Sequence, residues 1–175
     1  MPILGIIASS ITGNLVTSSY ESIATTTVGA GGASSISFNS IPSTYKHLQV
    51  RGLHKQSTTG AWATIELNSD TTAGNYTYHR LYGDGTGTAA ESNASLNRIF
   101  TSYPNWGSIV IDVLDYTNTN KYTTIRTLSG WDGNGSGEVN FISNLWKNTA
   151  AVTTLTINLS SFVQYTHFAL YGIKG

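Results

Sequence analysis

The chain has no cysteine, which excludes disulfides, thiolate nucleophiles and Cys-ligated zinc. Secreted animal domains of this size often carry disulfides, so their absence leans toward a phage or bacterial source. Charge is also scarce. Only 10% of the 175 residues are Asp, Glu, Lys or Arg, against roughly 25% in ordinary soluble domains. The 9 basic and 9 acidic residues balance, and no two Lys or Arg are adjacent. Neither nucleic acid nor an anionic membrane is therefore an expected partner. No apolar run approaches the ~20 residues of a spanning helix. The leading MPILGIIASSITGNLV is apolar but has a short run and no basic flank, so it does not read as a secretory signal.

Ser, Thr, Asn and Gly fill the gap left by charge, with 18 Gly against 3 Pro. Uncharged polar surfaces of this kind are common in extracellular β-proteins and in virion shells. Low charge weakens the self-repulsion that keeps proteins apart, so part of the surface is expected to be covered by neighbours. The length suits one domain, burying roughly 70% of its unfolded surface. Residues 1–20 read as an arm. It would lay Ile3, Leu4, Ile6, Ile7 and Ile11 against its own domain, a sister subunit or a larger shell.

The rest is organised around Ser35–Lys55, SISFNSIPSTYKHLQVRGLHK. It predicts a strand, a corner at Ile41-Pro42, and a second strand with Leu48, Val50 and Leu53 toward a core. Tyr45-x-His47-Leu48-x-Val50-x-Gly52 is echoed by Tyr165-x-His167-Phe168-x-Leu170-x-Gly172 near the far end. That echo predicts that the first and last parts share a sheet. Ser22–Val28 and Ser34–Phe38 read as a hairpin around a glycine-rich turn. Ala61–Leu67 alternates, with Trp62 and Glu66 outward. Asn75–Tyr82 puts Tyr76, Tyr78, Arg80 and Tyr82 on one side, and Gly83–Gly87 reads as a loop. Strands are also expected at Leu96–Tyr103, Gly107–Tyr116, Lys121–Trp131, Gly137–Trp146, Val152–Leu159 and Thr166–Ile173. Short strands between turn signals, with no sustained helical period, indicate an all-β chain. The expectation is a single antiparallel β-sandwich over 21–175, jelly-roll-like, with an extended apolar arm.

Chemistry is thin. His47, His54, His79 and His167 show no metal-ligand spacing, although the echo could place His47 beside His167. Asp132, Asn134 and Ser136 match the first half of a calcium loop, but Ser143 stands where its bidentate Glu belongs. An ordinary hairpin turn is the plainer reading. No GxSxG elbow occurs, and nothing in the spacing selects a carboxylate pair. No catalytic residue, metal ligand or cofactor is assigned. Aromatic side chains can stack on sugars or fill a core. Trp106 and Trp131 are the candidates for glycan contact.

SYESIATTTVGAGGASSISFNSIPSTYKHLQVRG, LDYTNTNKYTTIRTLSGWDGNGSG and FALYGIKG together resemble a recurrent small structural protein of tailed bacteriophages, especially those infecting aquatic bacteria. Its members are variously called virion structural, decoration or tail-fibre-associated proteins. The resemblance implies a non-enzymatic, jelly-roll-like component of the virion surface, a homotrimer whose partners are the major capsid protein or other virion proteins. A capsid decoration (cement) protein is the first expectation. A tail-fibre module recognising host surface glycans is the alternative.

Overall fold

The structure, a computed structural model, describes residues 19–58 and 60–175. The arm residues Ile3, Leu4, Ile6, Ile7 and Ile11 lie outside these. Among the described residues twelve strands run β1 (Tyr20–Thr27), β2 (Ala33–Phe38), β3 (His47–His54), β4 (Ala61–Leu67), β5 (Tyr76–Gly83), β6 (Thr88–Asn93), β7 (Arg98–Ser102), β8 (Gly107–Leu114), β9 (Thr123–Asp132), β10 (Gly137–Trp146), β11 (Leu155–Phe162) and β12 (His167–Ile173). They form an eight-stranded sheet, β1-β12-β3-β8-β9-β10-β5-β6, and a four-stranded sheet, β2-β11-β4-β7. Every pairing is antiparallel.

The order β1-β12-β3-β8 against β2-β11-β4-β7 is that of a jelly roll. The hairpins β5–β6 and β9–β10 are additions that widen one sheet only. This wing, β9-β10-β5-β6, overhangs the edge strand β7 of the smaller sheet. The position explains its composition. Where two full sheets face each other the inward positions are apolar: Leu48, Val50, Ile109, Ile111, Val113, Phe168 and Leu170 meet Ile36, Ile65, Leu67 and Ile157. On the wing polar residues join the inward positions: Thr127, Ser129, Asn140, Asn144 and Arg80 are buried beside Ile125, Ile142, Tyr78 and Trp146.

The echo resolves into a packing device. β3 and β12 are antiparallel neighbours, so the first and last parts do share a sheet. Gly52 faces inward opposite Phe168, and a Cβ there would stand 2.4 Å from the Phe168 ring. A Cβ on Gly172 would stand 2.3 Å from the Tyr45 ring. Each motif thus provides a glycine gap that an aromatic ring of the other fills. The same antiparallel pairing corrects one expectation. His47 opposes Ile173 and His167 opposes Leu53, so the two histidines sit at opposite ends of the pair.

Two further expectations are corrected. Ser22–Val28 and Ser34–Phe38 are not a hairpin, because β1 belongs to the large sheet and β2 to the small one. The glycines between them carry the chain across the sandwich, with Gly32 at φ 70°. Leu53 points outward and is 39% exposed, whereas His54 is buried. The inward set is Leu48, Val50, Gly52 and His54, a strict alternation in which Gly52 leaves no hydrophobic mark. β6 is an additional strand that pairs β5 from Gly83↔Thr88 to Tyr78↔Asn93. Its sequence, TAAESN, is mostly exposed and carries neither alternation nor β-branched bulk after Thr88.

Candidate functional site

The outer face of the large sheet concentrates exposed apolar side chains. Antiparallel register lines up Ala169, Arg51, Val110, Leu128, Phe141, Leu81 and Ala90 in one row across seven strands. Leu128 is 54% exposed, Phe141 48% and Leu81 57%. Leu53 and Val139 lie one step along the strands on the same face, beyond Arg51 and Phe141. Of the eight exposed large hydrophobics among the described residues, five are on this face. Isolated exposed apolar residues need no explanation, but a contiguous row does. The wing thus buries polar side chains among its inward residues while leaving Leu128, Phe141, Leu81 and Val139 outward.

Trp106 and Trp131 come together at one end of this face. Gly107 pairs with Trp131 across β8 and β9, which puts the preceding Trp106 beside it. With Leu53, Asp132 and Val139 they line a shallow groove. Trp106 is 40% exposed, and Lys55 Nζ lies 5.9 Å from its ring centre. Trp131 is committed elsewhere. It stacks on Tyr103 with ring centres 4.3 Å apart, and its buried Nε1 has no partner among the described residues. The groove therefore presents one available indole face rather than two. Trp62 is also engaged, with the Arg80 and Arg98 guanidinium carbons 4.7 and 4.5 Å from its ring centre. Tyr76, Tyr78 and Trp146 are buried.

Beneath the wing lies a cluster that no sequence spacing suggests. Arg80, 6% exposed, donates from Nη2 to Glu138 Oε1 at 2.6 Å and from Nη1 to Glu91 Oε1 at 3.3 Å. Its Nε–H donates to Asn140 Oδ1. The Asn140 amide donates to Glu138 Oε1 at 2.8 Å, and the Thr101 hydroxyl donates to the same oxygen. The guanidinium also lies 3.7 Å over the Tyr82 ring. Burial makes Arg80 and Glu138 depend on each other. One guanidinium serves two carboxylates, the half-buried Glu138 and the more exposed Glu91, and the group is internally bonded, which marks it as support for the wing. The only sequence signal was Arg80 on the inward side of an aromatic strand. Glu138 and Asn140 join it through register alone.

The histidines are dispersed. His79 and His167 are exposed, and half-buried His47 accepts the Asp115 backbone N–H at 2.9 Å on Nδ1. His54 is buried between Phe100 and Phe168, ring centres 4.0 and 6.5 Å away. Its Nδ1 lies 3.5 Å from Ser102 Oγ. Burial lowers its pKa to about 4, from 6.5. Between those values the unfolded chain takes up a proton that the folded chain refuses, so stability falls as pH drops through that window. The loss reaches about 3 kcal/mol for the full shift. Urea denaturation at pH 7 and pH 4.5 should show it, and His54→Leu should flatten the profile there. Asp115, hydrogen-bonded by Lys121 and Lys46, has its pKa lowered to about 2 and titrates below this window.

The Asp132–Ser136 segment is the β9–β10 hairpin turn. Gly133 N–H donates to Ser136 O at 2.6 Å, Asn134 N–H donates to Asp132 Oδ1 at 2.8 Å, and Asn134 and Gly135 have φ of 58° and 104°. Among the described residues no group of three or more His, Cys, Asp or Glu is placed to hold a metal ion. No described helix is long and apolar enough to cross a membrane.

No protein-family model matches the chain, and no curated protein matches it. Among solved structures there are distant similarities. A xylan β-1,4-xylosidase from Bacillus halodurans C-125 aligns over 81% of this chain at 7% identity and a TM-score of 0.36, and the chain spans 33% of that protein. An alginate lyase, Aly36B, in complex with an alginate tetrasaccharide aligns over 89% of this chain and 98% of its own at 8% identity and a TM-score of 0.32. Likeness at this level carries no inference about activity.

Proposed function

We propose that this chain is a non-enzymatic structural protein of a phage particle, a decoration or cement protein that binds across capsomer junctions as a homo-oligomer. The observation that supports this reading is the apolar row on the outer face of the large sheet. A domain with so little charge and an apolar row along one exposed face is suited to being covered by another protein. The arm offers a second contact, with Ile3, Leu4, Ile6, Ile7 and Ile11 laid on the shell. Mechanically, such a protein binds the assembled shell and not its separated parts, so it stabilises the shell by mass action. The proposed partner is the major capsid protein, the proposed oligomer a trimer, and the proposed location the particle surface.

Removing residues 1–11 should lower affinity for decoration-free capsids at least a hundredfold while the β-domain stays folded by circular dichroism. Burial of two isoleucines at about 1.5 kcal/mol each already accounts for a loss of that order. Undiminished capture of the truncated chain in a sedimentation assay would remove the arm from the interface. Gold-labelled antibody on purified particles tests the location. Label over the head supports the cement role, and particles without label overturn the virion reading.

The alternative, a tail-fibre module recognising host glycans, is favoured by one feature, the exposed face of Trp106 in its shallow groove. Label confined to the tail would select it.

A further inference from the structure

In the unbound protein the apolar row is open to any apolar segment within reach. We infer that in the free chain residues 3–7 lie across the outer face of the same molecule's large sheet, against Leu128 and Phe141. This concerns the protein before assembly and does not depend on the particle reading. If that reading holds, the two surfaces that would contact the shell cover each other until it is met.

Three observations meet here. Residues 1–18 contain no Asp, Glu, Lys or Arg, and ILGII at 3–7 is their most apolar segment. The row itself is similarly poor in charge: along it only Arg51 is ionised, with Val110, Leu128, Phe141 and Leu81 following in register, and the oppositely charged Asp112 and Arg126 face each other in the next row. The attachment point lies on that sheet's own edge, since Ser19 O accepts the Lys174 N–H at 2.9 Å beside the first β1 pair, Tyr20↔Ile173.

Reach then decides which molecule's face is available. β10 is the sixth strand counted from β1, so Phe141 is five interstrand spacings away, about 24 Å laterally. The row crosses β12 at Ala169 rather than Ile173, an offset of about 13 Å along the strands. The straight line is about 27 Å, and residues 8–18 can span about 36 Å when extended. The tether therefore reaches its own face with slack for the sheet's curvature. A segment held by so short a tether meets its own face at an effective concentration near millimolar. A second copy reaches that only in concentrated solution or on an assembled surface.

The absence of native cysteine makes the test direct. In the full chain, Ile6→Cys with Leu128→Cys is oxidised mildly at micromolar concentration and followed by non-reducing electrophoresis and peptide mapping. A reference pair combines Ile6→Cys with Ser37→Cys, which is exposed on the small sheet. The inference expects an intrachain disulfide to form at least ten times faster in the first pair than in the second. Equal rates, or a first pair that yields only interchain dimers, overturn it. As a second readout, deleting residues 1–11 should raise the binding of an apolar fluorescent dye several-fold, and adding Leu128→Ser with Phe141→Ser should abolish the rise. A truncated chain binding no more dye than the full one also counts against the inference. Because both readouts use purified protein without capsids, their failure leaves the particle labelling experiment unaffected.

Discussion

Replacing Gly52 with valine is expected to destabilise the fold by about 3 kcal/mol, the upper end of the cost of overpacking a close-packed core. The first added carbon would stand 2.4 Å from Phe168 Cδ1 and 2.5 Å from Cε1. Phe168 is fully buried and touches Phe162 edge-on with ring centres 5.7 Å apart, so its ring has no free direction in which to retreat. Valine would otherwise suit a central strand, and on propensity alone the change would be favourable. The sign of the result therefore separates packing from propensity. Urea denaturation of Gly52→Val, Phe168→Ala and the double variant measures it. The double variant should lose less than the sum of the singles, because the small side chain opens the space that the valine needs. Gly29→Ala is the control: nothing lies within 4 Å of its added carbon, and the change should be neutral or slightly stabilising. A Gly52→Val chain as stable as the parent would show that the ring does not occupy the gap.

Removing Arg80 should cost about 3–5 kcal/mol, the range for stripping one partner from a buried ion pair. In Arg80→Ala the Glu138 side chain, 13% exposed, keeps only the Thr101 hydroxyl and the Asn140 amide against its charge. The Asn140 carbonyl loses its donor, and the rings of Trp62 and Tyr82 lose the guanidinium between them. Adding Glu138→Gln should recover part of the loss by removing the stranded charge, so the two substitutions should be strongly non-additive. The damage should be local. Hydrogen exchange is expected to rise in β5, β6 and β10 while β3 and β12, across the apolar half of the sandwich, remain protected. Additive effects, or uniform loss of protection, would mean that the cluster is not the support of the wing.

Much of the architecture was legible in the chain. Strands such as Gly107–Leu114, with Ile109, Ile111 and Val113 inward, declare themselves by period two. The Tyr-x-His echo correctly joined the two ends in one sheet. What escaped was whatever lacked a side-chain signature. β6 is short, exposed and rich in alanine. Gly52 occupies an inward position with no side chain, which shifted the apparent apolar face onto Leu53. The crossing between β1 and β2 looks like a hairpin because glycine permits a tight turn and a change of sheet equally well.

The functional surface was less legible still. Trp106 and Trp131 are 25 positions apart in the numbering, yet the pairing of β8 with β9 makes them neighbours, and only then does the Tyr103 stack show that one ring is already occupied. The same holds for the apolar row and for the Arg80 cluster. Composition, period and turn chemistry act between residues close in the chain, so the sequence by itself determined an all-β sandwich, the faces of its regularly alternating strands and its scarcity of charge. Register and sheet order act between residues far apart. Only the tertiary structure could therefore decide that one sheet overhangs the other, that its overhang buries charge and that its outer face carries an apolar row.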